Sequence, residues 1–269
     1  MNSEIFFKPI ENDVLKYDHG LTHLDDGITA FIRLKDEAQT IEASLRSIEG
    51  LFDYYVILIQ PSNDKTAEIV KEVMKDSKAT IVHYPYESWP NGPGYSEQDE
   101  TSVYSRTFFY NFGTQFIPTK HAFKWDGDMI ASTDLRKYLS KWRKNKRGYV
   151  AMKGVECADG LCATVNSRIY TGNEVRIFKS KKSAFSNGPK CEILNIYKKG
   201  LLYAIFRRLF IYKMQQPMYY HFKYAKLESS QTKAWPENWR EVEHFVNLMS
   251  FDVESNKTTL RPLSENILK

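Results

Sequence analysis

A chain of 269 residues is long enough for one large α/β domain or two small ones, with a sizeable core either way. Its 42% hydrophobic and 26% charged residues are those of an ordinary soluble globular protein; no run of 18 apolar residues offers a membrane span, and three cysteines (Cys157, Cys162, Cys191) make no disulfide framework. A formal charge of +5 suits anionic substrates or an anionic membrane face and is weak support for nucleic-acid binding.

The opening Met1-Asn2-Ser3-Glu4-Ile5 lacks a basic region followed by a long apolar one, so no signal peptide is expected and a reduced, cytoplasmic compartment is the default. Residues 1–26 read as an extension or an irregular edge. Ile28 to Leu34 is the first convincing strand, short, apolar and β-branched. Ile41, Leu45, Ile48 and Leu51 then recur at three- and four-residue steps and mark one face of a helix. Tyr54 to Ile59 is apolar almost throughout, as an interior strand covered on both faces should be. The turn Gln60-Pro61-Ser62-Asn63-Asp64 leads into a helix from Thr66 to Met74, with Asn63 or Asp64 as its cap, and Thr80 to Tyr84 makes a third strand. Strand, helix, strand, helix, strand predicts a parallel sheet with right-handed crossovers.

Residues 85–100 form a polar, Pro/Gly-rich loop, either a lid or an insertion. A helix over 102–117 carries Arg106 and Asn111. The run Phe123-Lys124-Trp125-Asp126-Gly127-Asp128 follows, an apolar stretch ending in two carboxylates separated by a glycine. At a strand exit such a pair suits a divalent cation carrying phosphate, because carboxylates without a metal repel the phosphate. Asp134 to Arg143 has helical spacing, Tyr149 to Met152 reads as a strand, and 168–170 with 174–178 reads as a hairpin around Thr171-Gly172-Asn173. The basic cluster from Lys141 to Arg147 reads as a solvated helix end and loop.

The parallel-sheet reading gathers Arg33, Lys35, Glu37, the 60–64 turn, Asp126 and Asp128 at strand carboxyl ends, where open α/β sheets bind ligands. There is no Gly-x-Gly-x-x-Gly at the first turn and no phosphate-loop motif. On these residues the chain resembles the family 2 glycosyltransferases, which have the GT-A fold. Ile32 to Glu37 is similar to the family's opening strand and acidic turn, Gln60 to Thr66 to its nucleotide-binding turn, Arg106, Asn111 and Gly113 to the helix before its metal motif, and Asp126-Gly127-Asp128 to its Asp-x-Asp signature. The resemblance covers about residues 27–180. Where the family has acidic residues on the second strand, this chain has Ile59 and Gln60; its acceptor-side motif is matched only by the departing stretch Phe185 to Glu192.

The resemblance implies a catalytic domain over 27–198 with a mostly parallel sheet, flanking helices and a small acceptor-side extension. It implies Mn2+- or Mg2+-dependent inverting transfer of a sugar from a nucleotide-diphosphate sugar to a hydroxyl of a glycan or lipid-linked acceptor. Asp128 is the first choice of metal ligand, with Asp126 on the ribose or on the metal through water, and His221 completing the shell. Arg33, Glu37, Gln60, Asp64, Arg106 and Asp126 are the candidate nucleotide contacts. Glu192 is the leading general base, with Glu174 and then Asp159 as rivals; the ordinary reading of each is a surface carboxylate or ion-pair partner. Trp89 and Trp125 are candidate sugar platforms, with core packing the stronger reading for Trp125.

Residues 199–269 read as a helical region packed on the catalytic domain, ending in a cap at 235–239 and a polar tail from 253. Within it, 200–213 is apolar and basic together, and is either a packed helix or an interfacial helix at an anionic membrane. Two other functions compete: a sugar nucleotidyltransferase, whose basic glycine-rich loop is missing after the first strand, and a transferase-fold protein that binds nucleotide sugar or glycan without turnover.

Overall fold

The computed structural model describes residues 2–8, 23–158, 161–163, 174–196 and 211–222, with three further strand pieces at 245–247, 251–252 and 257–258. Asp159, the turn at Thr171–Asn173, most of the 200–213 run, the 235–239 cap and most of the tail lie outside the described residues. The central sheet runs β1 (Ser3–Phe6), β4 (Ala79–His83), β3 (Tyr54–Ile59), β2 (Asp25–Leu34), β5 (Thr119–Asp126), β9 (Glu174–Lys179), β7 (Val150–Ala158), β12 (Tyr212–His221), β6 (Met129–Ala131). The first five of these are mutually parallel, β9 is antiparallel to both its neighbours, β12 is parallel to β7, and β6 is antiparallel to β12. This mostly parallel sheet with one reversed strand inside it is the GT-A type of α/β fold that the resemblance implies.

Period-two alternation in β2 divides the core. Ile28, Ala30, Ile32 and Leu34 face α1 (Ile41–Ser47), together with Ile41, Leu45 and Ile48 from that helix. Phe31 faces the other way, towards α3 (Arg106–Thr114), into a cluster with Leu58, Phe108 and Phe112. Arg33 shares parity with Phe31, so the sheet turns its guanidinium to the α3 side, where it lies over the Tyr110 ring at 4.5 Å. Lys124 shares parity with Ala122 on β5 and reaches the same ring from 5.0 Å. Helix α3 approaches closely because Gly113 has no side chain: a Cβ there would meet Leu58 Cδ1 at 2.2 Å.

The helices begin where capping chemistry directs. Ser105 Oγ accepts from Phe108 N at the start of α3, and Ser132 Oγ accepts from Leu135 N at the start of α4 (Thr133–Asn145). For α2 (Thr66–Val73), Asp64 Oδ1 accepts from Thr66 N at 2.9 Å, close to the capping expected of it.

Two sequence expectations are corrected. Within the N-terminal piece Ser3–Phe6 are a regular edge strand, because β1 pairs in register with β4, Ser3 opposite Thr80 through Phe6 opposite His83. The region after 199 is not helical where it is described: β12 inserts between β7 and β6, with Tyr219 opposite both Gly154 and Ala131. The burial explains the miss, since Met218, Tyr219 and Tyr220 are all buried and in sequence look like a continuous apolar run. Gly154 makes the insertion possible, as a Cβ there would meet the Tyr219 ring at 2.1 Å.

Candidate active site

The carboxyl ends of β2, β3 and β5 carry the site, and side chains lock their turns together. Asn63 N donates to Asp36 Oδ1 at 2.8 Å, Asp36 N to Ser62 Oγ at 3.1 Å, Glu37 N to Thr66 Oγ1 at 2.8 Å and Ala38 N to Asp64 Oδ2 at 2.9 Å. Asp36 adopts φ 50°, in the left-handed region, at this junction. Asp64 is thus a brace between the first and second turns, with both oxygens occupied; burial pushes its carboxyl up, and Thr66 and the backbone amides outweigh this and lower it. Glu37 is buried and accepts from Thr40 Oγ1 at 3.2 Å. Gln60 is buried at the end of β3; its Oε1 accepts from Ser88 Oγ at 3.2 Å, and its Nε2 has no hydrogen-bond partner.

Asp126 ends β5 opposite Arg33 on β2. Its Oδ1 lies 3.2 Å from Arg33 Nη2 and its Oδ2 lies 2.8 Å from Arg176 Nη1. Burial pushes this carboxyl up, but Arg176, Arg33 and Lys124 outweigh burial and hold it well below the ordinary carboxylate range. Arg176 is 2% exposed and also binds Glu174 Oε2 at 2.7 Å and donates to Tyr219 Oη at 3.1 Å. Lys124 pairs with Glu174 and lies 3.3 Å from Glu192 Oε1; burial opposes its charge and the carboxylates reverse that, raising its pKa well above the lysine value. The result is a ring of alternating charge across four strands.

Asp128 sits past the glycine, buried, with Oδ1 at 3.3 Å from His221 Nε2. Strand β12 places the histidine there: His221 lies opposite Met129, and Phe222 N donates to the Asp128 carbonyl at 2.8 Å. Gly127 allows the turn to press on β2, since a Cβ would meet Leu34 Cδ2 at 2.4 Å and Glu37 Cγ at 3.1 Å. One carboxylate facing one imidazole is a donor pair suited to Mn2+, which accepts nitrogen as well as oxygen, while Asp126 is already engaged by two guanidiniums. Among the described residues no cluster of three or more His, Cys, Asp or Glu side chains stands ready to hold a metal, so diphosphate oxygens and water would fill the rest of the shell.

Glu192 begins β11 (Glu192–Ile196), which pairs with β10 (Ser183–Asn187) as a hairpin. Helix α3 pins that hairpin: Asn111 donates from Nδ2 to the Phe185 carbonyl at 2.9 Å and accepts from Phe185 N at 2.8 Å, while Thr107 Oγ1 donates to Asn187 Oδ1 at 2.6 Å. The loop before α3 is docked on the same hairpin, with Gly92 N donating to the Lys190 carbonyl at 3.0 Å and Asn187 Nδ2 to the Gln98 carbonyl at 2.7 Å. Glu192 is buried, with Oε2 unpartnered; burial pushes its carboxyl up, but Lys124, Arg33 and Arg106 bring it to about 2. Arg106, at the start of α3, pairs with no carboxylate among the described residues, and burial together with the Arg33 charge lowers its pKa.

The structure therefore brings together Arg33, Arg106, Asp126, Asp128, Glu174, Glu192 and His221 at one end of the sheet, with Gln60 and Glu37 at neighbouring strand ends. Trp125 is fully buried and donates to Ser44 Oγ at 2.9 Å, so it is core and not a sugar platform. Trp89 is half-buried beside Tyr104. Sequence reasoning missed Lys124, Tyr110 and Tyr219 and gave Arg176 no role. The available signal was a cation inside an apolar strand, in Phe123-Lys124-Trp125 and again in Val175-Arg176-Ile177. A charge at such a position needs a buried partner.

Residues 23–156, just under half of the chain, match the family model described as beta-1,4-N-acetylgalactosaminyltransferase (CgtA). That segment holds β2 to β7, including the Asp126-Gly127-Asp128 turn, and carries the glycosyltransferase pattern on which the resemblance rests. A search of curated proteins gives no match. Among solved structures, S. aureus TarS aligns at 14% identity and TM-score 0.46, over 72% of this chain and 36% of that one. S. aureus TarS 1-349 in complex with UDP aligns at 12% and 0.48, over 72% and 60%. Glucosyl-3-phosphoglycerate synthase from Mycobacterium tuberculosis, in complex with Mn2+, UDP and phosphoglyceric acid, aligns at 14% and 0.44, over 81% and 78%. The chain spans about a third of the TarS structure and three fifths of its 1-349 form.

Proposed function

We propose that this chain is a divalent-cation-dependent inverting glycosyltransferase that moves a sugar from a nucleotide-diphosphate sugar to a hydroxyl of a glycan or lipid-linked acceptor. The observation that carries the reading is Asp128 facing His221 at 3.3 Å beside an Asp126 clamped by two arginines, on the segment that matches the family model. The cation, bound by Asp128 and His221, would offset charge on the leaving diphosphate. Arg33 and Arg106 supply the remaining positive charge, and Arg106 is uncommitted to any described carboxylate. The unpartnered Nε2 of Gln60 is a donor for a base carbonyl. Glu37 and Asp64 act through the turns they hold.

Glu192 is the preferred general base. Its Oε2 has no partner, whereas Glu174 has one oxygen on Lys124 and the other on Arg176. A carboxyl brought to about 2 is a weak base, which is the observation favouring binding without turnover as the second reading. The diphosphate answers it in part, because it competes for Arg33 and Arg106 and so relieves two of the three cations that depress Glu192, leaving Lys124 in place. The family description supports N-acetylgalactosamine as the donor sugar and a β-1,4 linkage, and a β product from an α-linked nucleotide sugar is an inversion. Among the described residues no helix is long and apolar enough to cross a membrane. A role in polysaccharide synthesis at the cytoplasmic membrane face, with contact through 200–213, belongs to the same proposal.

Calorimetric titration of UDP, GDP, CDP and dTDP sugars, with and without Mn2+, on the wild type and Asp128→Ala tests the reading. Metal-dependent binding of one nucleotide class, lost in the variant and followed by release of the diphosphate on adding acceptor, is the expected result. Binding with no turnover over a panel of glycan acceptors would select the second reading. No binding at all would reject both.

A further inference from the structure

The far end of the sheet carries a second charged surface that the candidate active site does not use. It lies at the amino ends of β5 and β7, where the carboxyl end of β9 arrives antiparallel, with Lys179 opposite His121. Tyr212, 42% exposed, starts β12 there, and its ring lies 4.2 Å under the Arg147 guanidinium. Tyr212 N donates to the Tyr149 carbonyl at 3.0 Å, and Tyr149 Oη donates to the Lys182 carbonyl at 3.2 Å, which brings the 180–182 turn to the same rim. Lys144, Arg147, Lys181, Lys182 and Lys213 are all exposed on these segments, and none has an ion-pair partner among the described residues. By contrast, neighbouring Lys120 and Lys146 both pair with Asp26. The rim is therefore a concentrated excess of positive charge around an exposed aromatic ring.

The sequence leading into it extends the pattern. From residue 193 to 227 there are seven lysines and arginines and no aspartate or glutamate, interleaved with Leu201, Leu202, Ile205, Phe206, Leu209 and Phe210. Unpaired cations, an amphipathic aromatic and an adjoining apolar-basic run match the chemistry of an anionic lipid surface. A nucleic acid would use the cations but has no use for the aliphatic residues. We propose that this rim is a docking surface for an anionic bilayer. The inference stands independently of the transferase reading, and it constrains the acceptor. Strand β5 has eight residues, so the site lies about 25 Å from the rim along the strands and faces away from it. An acceptor served by the docked protein must extend that far from the lipid, as a glycan chain does and a short lipid-linked sugar does not.

Co-sedimentation with vesicles of phosphatidylcholine alone, and of phosphatidylcholine with phosphatidylserine, tests the proposal on the full chain. The comparison is between wild type, Arg147→Glu/Lys181→Glu/Lys182→Glu, and Lys71→Glu/Lys75→Glu/Lys78→Glu, which changes net charge equally on another face. Each rim charge near the lipid is worth about fivefold in partitioning, so the rim variant should lose about a hundredfold on anionic vesicles while the control variant loses far less. Equal losses in the two variants, or equal binding of wild type to both lipids, overturns the proposal. Retention of RNA or heparin with no vesicle binding overturns it in favour of a soluble polyanion. Nucleotide-sugar binding measured on the same variants separates this outcome from failure of the transferase reading, since the rim lies remote from the site.

Discussion

Arg176 is the most exacting place to test the charge ring. Replacing it with Met keeps the aliphatic length and removes the guanidinium that touches Asp126, Glu174 and Tyr219. Removing one partner of a buried ion pair costs about 3–5 kcal/mol, because the remaining charge is left without compensation. Two features place this site at the low end. Arg33 still holds the other oxygen of Asp126 at 3.2 Å, and the Glu174 side chain is 40% exposed and keeps Lys124. The expected loss is about 3 kcal/mol, equivalent to about 6–12 °C in Tm for a chain of this size. Urea unfolding at neutral pH measures it.

The pH dependence gives a sharper check. The folded-state pKa of Asp126 is depressed below the ordinary 3.8, so its contribution is full above that value and is lost as pH falls through the depressed one. In Arg176→Met the carboxyl titrates at a higher pH than in the wild type, and protonation removes the uncompensated charge. The stability gap between the two proteins should therefore be widest at neutral pH and narrow as pH falls below about 4. Arg176→Lys should recover only part of it, since an ammonium cannot span Asp126, Glu174 and Tyr219 together. A loss under about 1 kcal/mol at neutral pH, or a gap that does not change with pH, would refute the reasoning.

Asp128→Asn should weaken Mn2+-dependent nucleotide-sugar binding by about a hundredfold while leaving metal-free binding nearly unchanged, read by calorimetry. Glu192→Gln should lower turnover by about 10²–10⁴-fold with donor affinity retained; unchanged turnover would eliminate Glu192 as the base. The wild type carries a Glu192 contribution to stability that is full above about 4.5 and is lost as pH falls towards about 2, so the stability difference between wild type and this variant should shrink over that range. Gly127→Ala drives a methyl into Leu34 and Glu37 and should cost about 1–3 kcal/mol in denaturant unfolding, with turnover reduced because the turn between the two aspartates is displaced.

The sequence made legible whatever local pattern encodes. The β2–α1–β3–α2–β4 run, the cap at Asp64, the strand exit at Asp126 and the glycine between the aspartates are each written in a few adjacent residues. Strand β12 was not legible, because its buried stretch Met218–Tyr220 has no alternation to distinguish it from a packed helix, and its place depends on a glycine about sixty residues earlier in the chain. The charge ring was half legible. Its carboxylates stood out at strand ends, whereas Lys124 and Arg176 lie within apolar strands, and only the antiparallel insertion of β9 beside β5 makes them neighbours. Asp64 lies at the turn where the sequence put it, and its two oxygens accept from backbone amides and the Thr66 hydroxyl; the bond from Ala38 N is one that no local pattern announced.

The balance of the ring also argues for what enters it. Arg33, Lys124 and Arg176 balance Asp126, Glu174 and Glu192 in the ring, and Arg106 and Asp128 stand beside it, so the charges are even before any ligand or metal is counted. The pairing is not spread evenly. Arg176 and Lys124 are locked to carboxylates on the β9 side and Arg33 holds Asp126 at 3.2 Å with Glu192 at 3.7 Å, whereas Arg106 has no carboxylate partner among the described residues. A protein does not keep a partly buried, unpaired guanidinium for stability, since desolvation opposes it. Burial and the neighbouring Arg33 charge lower the pKa of Arg106, and a dianionic group bridging the two arginines would stabilise both. A diphosphate is such a group. On the proposed reading its arrival would draw Arg33 and Arg106 off Glu192 and return the part of its basicity that they suppress, while Lys124 stays at 3.3 Å.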